Sequence, residues 1–187
     1  MSYLKTLALL LVFGMSTPIL QAQSSPEFDI FQALPADKQL GKFCGFEMAT
    51  FTFNGRQAKV VKPRQIGLTA PWIWRARFWG HEPQADSALL ERGFHVVYCD
   101  VAELFGNSQA IDIWNQYYAL MTKAGLSSRV ALEGFSRGGV YVYNWGMVNP
   151  EKVSCVYADA PVLDLKSWPG GRSEEHTSEL QSRQCIS

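Results

Sequence analysis

The sequence predicts an α/β fold, with a mostly parallel β-sheet, helices on both faces and a leading β-hairpin. Three observations carry that reading. From residue 71 onward, short strand-type apolar runs alternate with longer segments of helical periodicity, the pattern of βαβ units. Those runs are continuously apolar rather than alternating, so both faces of the sheet are covered. Ahead of them, two runs of strand formers flank Asn54-Gly55, a dipeptide that closes tight hairpins.

The elements follow in order. Residues 46–53 are rich in Phe and Thr and end at Asn54-Gly55, and the return strand, 57–61, stops at Lys62-Pro63. Residues 71–75 (Pro71-Trp72-Ile73-Trp74-Arg75) form a short apolar strand. A helix over 82–92 carries Ala85, Ala88 and Leu89 at helical spacing and closes at Gly93, which suits the left-handed residue after a helix end. Residues 94–99 are a buried-type strand ending at Asp100. A helix over 108–124 places Ile111, Trp114, Tyr117, Tyr118 and Met121 on one face, with Gly125 beyond it. Residues 130–133 are a strand. A helix over 137–149 repeats Val140, Tyr143, Met147 and Val148 before Pro150, and residues 153–158 form the last strand, ending at Asp159. There is no internal repeat and no sign of a second domain.

Composition bounds the function. The 187 residues are 47% hydrophobic and 18% charged, ordinary for a soluble globular chain. Lys plus Arg and Asp plus Glu are both 17, for a formal net charge of zero. No basic stripe interleaves with aromatics, so nucleic acid is not an expected partner. Cys44, Cys99, Cys155 and Cys185 show no ligand spacing for a metal; Cys99 and Cys155 read as small buried hydrophobes. No cofactor is expected.

The first 22 residues read as an export signal. Lys5 precedes the apolar stretch 6–15, Ser16-Thr17-Pro18 breaks it, and Ala22 offers a small residue for cleavage. The stretch is shorter than the roughly 20 residues of a membrane span. The mature protein is therefore expected to be periplasmic or secreted, with no membrane partner once the signal is removed. Residues 23–42, polar and carrying Pro26 and Pro35, read as a lead-in, and 43–171 as the α/β domain.

The pattern changes after Pro169-Gly170-Gly171. Residues 172–182 show neither strand nor helix periodicity, and Leu180 is their one apolar residue. This string resembles the translation of a sequencing-library adapter, so residues 172–187 are expected to be a non-native tail. No function is assigned to His176 or Cys185, and the domain is expected to be incomplete at its C-terminus. Its last strand would then be an open apolar edge, and the chain is expected to express poorly.

The chemistry lies in Gly134-Phe135-Ser136-Arg137-Gly138-Gly139, a Gly-x-Ser-x-Gly motif directly after one strand and opening a helix. A serine on such a strained strand-to-helix turn projects its Oγ above the sheet. The helix behind it aims backbone N–H groups and a positive dipole end at a developing oxyanion. The Arg137 N–H is one such donor.

On this motif and its context the chain, from about residue 46 to 161, resembles the α/β-hydrolase superfamily, in particular secreted bacterial esterase-like members with a Gly-Phe-Ser-Arg-Gly-Gly elbow. The resemblance implies that Ser136 is the nucleophile and that a second oxyanion donor comes from the loop after the strand containing Arg75. Arg77 is favoured there, although the His-Gly pair common at that point is absent; Arg75 and Arg77 read equally well as surface charges. The implied order is serine, acid, histidine. His81 and His95 both precede Ser136; His81 reads as a helix-start or surface residue and His95 as core. The base is therefore expected to lie beyond the native part of this chain. The resemblance places the acid after a later strand, expected to lie beyond the native part of this chain; Asp159 is an alternative location, with Asp164 nearby, and reads equally as a helix cap or loop residue.

The resemblance implies a serine hydrolase of carboxylic esters, inactive or nearly so in this truncated form. The substrate is expected to be a small-molecule ester. An acylated carbohydrate is one form of it, if the aromatic segment 72–79 stacks on rings. Two alternatives stay open: a prolyl-peptidase-like serine peptidase, disfavoured because too few residues precede the first strand for a propeller, and a non-catalytic binding protein on the same scaffold.

Overall fold

The structure, a computed structural model, describes residues 28–163 and the backbone of residues 184–186. The expected export signal, Asp164, His176 and most of the tail lie outside the described residues. The strands are β1 (Gln39–Phe43), β2 (Phe46–Phe53), β3 (Arg56–Val61), β4 (Trp72–Ala76), β5 (His95–Cys99), β6 (Val130–Phe135), β7 (Val153–Asp159) and β8 (Gln184–Ile186). The helices are α1 (Gln84–Glu91), α2 (Ser108–Lys123) and α3 (Gly138–Val148). They build one mixed sheet in the order β1-β2-β3-β5-β4-β6-β7-β8.

The β2–β3 hairpin closes at Asn54-Gly55, where both residues adopt left-handed backbone (φ 49° and 75°), as a tight hairpin turn requires. β3 runs antiparallel to β5, and β5, β4, β6 and β7 are mutually parallel. The chain passes from β4 to β5 on one side and then to β6 on the other. The strand order therefore reverses at β4, and in sheets of this kind ligands bind in the crevice beyond the strand ends at such a reversal.

Alternation along β4 assigns the two faces. Trp72, Trp74 and Ala76 point into the larger core with α2 and α3, while Ile73 packs in a smaller one with Leu90 of α1. The larger core is aromatic: Trp74 stacks on Trp114 with ring centroids 4.4 Å apart and meets Trp145 edge-on at 5.4 Å. α2 starts at an Asn107 side-chain cap on the Ala110 N–H (3.0 Å) and buries Ile113, Trp114, Tyr117 and Met121. Cys99 is buried, and desolvation pushes its thiol up to about 12.

Four sequence expectations are corrected. The supposed lead-in is partly structured: a 3-10 turn, Ile30–Ala33, buries Ile30 and Phe31, and β1 pairs with β2. Five of the seven residues from Phe28 to Leu34 are apolar, but the run is too short to show a helical or strand period. α3 buries Tyr141, Val142 and Trp145 and exposes Met147 and Val148, because a helix apolar nearly all round offers no periodicity to select a face. α1 buries Asp86 and Leu90 rather than Ala85, Ala88 and Leu89; its inward residue is a charge with a partner on the sheet. Finally, Gln184–Ile186, in the expected non-native tail, pairs antiparallel with Val156, Tyr157 and Ala158. The open edge of β7 presents unpaired backbone groups that any extended segment can satisfy.

Candidate active site

β6 ends in the motif segment. Ser136 sits at φ 49°, a left-handed conformation that is strained for a non-glycine residue and persists only where neighbours enforce it. Three hydrogen bonds do so: the Ser136 N–H donates to the Asp159 carbonyl (2.9 Å), and the Ser136 carbonyl accepts from the N–H groups of Gly139 (3.0 Å) and Val162 (2.9 Å). The turn is tight enough to require glycine on either side. A Cβ on Gly134 would lie 2.7 Å from Val142 Cγ2 and 3.0 Å from the Gly139 backbone, and one on Gly138 would lie 2.5 Å from the Ala76 carbonyl oxygen.

That last approach places the end of β4 against the first turn of α3. Arg137 is the N-cap of α3 with helical backbone (φ −59°), directly after Ser136. Arg77, directly after Ala76, is also left-handed (φ 60°), as is Phe78 (φ 44°). The Arg77 side chain donates to the Ala102 carbonyl (2.7 Å) and the Tyr141 hydroxyl (3.2 Å), and the Tyr141 hydroxyl donates to the same carbonyl. Ser136, Arg137 and Arg77 thus flank the crevice at the β4 reversal.

Arg75 is no surface charge. It is 3% exposed and donates to Asp86 Oδ2 (2.5 Å), Glu133 Oε1 (3.0 Å), the Phe78 carbonyl (3.3 Å) and the His81 carbonyl. One guanidinium faces two buried carboxyl groups. Burial, with Asp86 repulsion second, raises the Glu133 carboxyl to about 8; burial also raises Asp86, against the opposing pull of Arg75. One carboxyl of the pair therefore keeps its proton at neutral pH.

The expected acid is only half placed. The Asp159 backbone holds Ser136, while its carboxylate lies with Glu133, Phe135, Tyr157 and His81 around a cavity of about 520 Å³ on the α1 face of the sheet. His81 is exposed, with its ring 5.0 Å from that of Phe135. His95 is fully buried, and desolvation lowers it to about 4; it is a core residue, as expected. Among the described residues no histidine follows Ser136, and no cluster could hold a metal ion. Trp72 and Trp74 are core residues and Trp79 packs on Phe43 and Tyr98, so the stacking platform expected over residues 72–79 does not form from the tryptophans.

Glu133, Asp86 and Tyr141 were missed from the sequence. Glu133 carried a usable signal: a carboxylate at the end of a continuous apolar strand must have a buried partner.

The architecture is similar to that of Candida antarctica lipase A in its closed state, with a TM-score of 0.54 and 15% identity over 73% of this chain and 44% of the lipase. It is also similar to a cold-adapted esterase from an Arctic intertidal metagenomic library, with a TM-score of 0.50 and 12% identity over 64% of this chain and 61% of the esterase. No family model and no curated protein matches the chain. The chain has the α/β-hydrolase fold, mostly parallel and not closed, and spans less than two thirds of the length of either structure.

Proposed function

We propose that this protein is a serine hydrolase of carboxylic esters, acting through an acyl-enzyme on Ser136. The observation that carries the reading is the left-handed Ser136 at the turn between β6 and α3, in the crevice where the strand order reverses. Such strain is stored where a side chain must be presented. The Ser136 Oγ attacks the ester carbonyl carbon, and its proton passes to a histidine from outside the described residues. The Arg137 and Arg77 N–H groups receive the oxyanion. The tetrahedral adduct collapses, and the alcohol leaves with that proton. Water then attacks the acyl-enzyme, the histidine takes its proton, and as the acid departs the histidine returns that proton to the Ser136 Oγ. The acid that orients this histidine is Asp159 or a residue after a later strand. The protein is exported, and its substrate is a small-molecule ester. Residues 1–187 alone have no turnover, because a serine without its base is a weak nucleophile.

The test has two steps. Sequencing the source DNA across the codons for Gly171 and Arg172 recovers the completed reading frame. The completed protein is then assayed on p-nitrophenyl esters and labelled with a fluorophosphonate. Ester turnover and a label that map to Ser136, both abolished in Ser136→Ala, are the expected result. Undiminished turnover in Ser136→Ala would refute the assignment.

A further inference from the structure

We infer that Arg75 is the positioning residue of this site: it ties the loop after β4 to the elbow strand, and so holds that loop's backbone N–H groups where the oxyanion forms. The inference rests on the hydrolase reading and specifies how the second half of the oxyanion hole is built.

The loop needs such a tie. Arg77, Phe78 and Glu82 are all left-handed non-glycine residues (φ 60°, 44° and 45°), with Gly80 at φ 80° among them. Within the loop the His81 N–H donates to the Phe78 carbonyl (3.0 Å). Arg75 reaches both of those residues through their carbonyls with one nitrogen, Nη2, and with the other, Nη1, reaches Asp86 on α1 and Glu133 on β6. Glu133 stands three residues before Ser136 in a strand whose register with β4 pairs it with Arg75 itself. One planar fork therefore joins the loop, α1 and the elbow strand. On the opposite side Arg77 anchors the same loop to Ala102 and Tyr141, so the segment is fixed from both faces of the sheet.

The polar accounting supports the cluster as a built unit. Asp86 Oδ1 and Glu133 Oε2 are both buried without a hydrogen-bond partner. Arg75 Nε is buried without a partner as well, and burial raises both carboxyl groups, so the pair favours one proton between them and one carboxylate against one guanidinium. A cluster needed only to cover the sheet would be served by apolar side chains at lower desolvation cost. What the arginine adds is the fork that reaches the Phe78 and His81 carbonyls.

The test uses the completed protein with Arg75→Met and Arg75→Lys. Lysine keeps the charge beside Asp86 and Glu133 but lacks the planar fork, so it remains informative if the methionine variant does not fold. In Arg75→Lys the expected result is a melting temperature near wild type and faster amide exchange over residues 77–82, with β6 unchanged. On p-nitrophenyl acetate, kcat falls about 100-fold, the scale of one lost oxyanion donor, with KM within about twofold. Wild-type exchange over 77–82 overturns the inference, and so does a defect confined to KM. Failure of the hydrolase reading shows separately, as turnover indifferent to Ser136→Ala, while the exchange measurement still decides whether Arg75 holds the loop.

Discussion

At the scale of single residues, the buried ionisable groups set a pH dependence of stability whose sign can be worked out. Glu133 is raised from 4.5 to about 8 in the fold, so its contribution is full below 4.5 and is lost as pH rises through 8. His95 is lowered from 6.5 to about 4, so its contribution is full above 6.5 and is lost as pH falls through 4. The two oppose each other between pH 4.5 and 6.5. Above 6.5 the loss from the raised Glu133–Asp86 carboxyl pair remains, so stability falls as pH rises toward 8. Urea denaturation of the completed protein should show that fall between pH 6.5 and 8.5, and Glu133→Gln, which fixes the neutral form, should abolish it. Wild-type stability that is level or rising over this interval would show that Glu133 is not protonated in the fold. Ser136 was legible because the turn demands glycine at fixed offsets. The Arg75 cluster was not, because its partners lie 11 and 58 residues away in sequence and nothing local marks them.

Among the elements, β6 and α3 matter most, because the angle between them presents Ser136. Two glycines of α3 make opposite predictions. A Cβ at Gly138 would meet the Ala76 carbonyl oxygen at 2.5 Å, an atom of sheet backbone that cannot swing aside. Gly138→Ala should therefore cost about 1–3 kcal/mol, as overpacking does, and push the loop after β4 outward, lowering turnover. At Gly146 the nearest atoms to a new Cβ are Leu132 Cδ1 at 3.5 Å and Val153 Cγ2 at 3.8 Å, ordinary contacts in a helix interior. Gly146→Ala should stabilise by about 0.5–1 kcal/mol with turnover unchanged. Thermal melts of both variants beside ester assays check the pair, and equal effects at the two sites would contradict the packing argument. Strand and helix order was readable because tertiary context reinforces periodicity in α2 and in the apolar strands. The inward faces of α1 and α3 were not: α3 is apolar all round, and α1 is held by Asp86.

For the whole molecule, the two edges of the sheet differ. β1 ends one side as a short strand whose residues, Gln39 and Lys42 among them, are mostly exposed, which discourages further pairing. β7 ends the other side of the continuous body with seven residues, of which Val153, Cys155, Val156 and Tyr157 are only half-buried, and β8 covers three of its positions. On the same flank Met147 and Val148 of α3 are exposed, at 78% and 58%. The α1 face beside β6 and β7 opens into the cavity around Asp159. An apolar strand edge with uncovered faces beside it recruits other chains through the same backbone bonds that build a sheet. Residues 23–171 produced alone should therefore elute as large assemblies and scatter light at micromolar concentration. A longer chain whose added strands cover β7 should instead be a dispersed species of defined mass. Light scattering on the two preparations decides the matter. A monodisperse, monomeric 23–171 would mean that this flank is stable as it stands, and that what the completed protein adds is the catalytic base rather than the cover of the sheet.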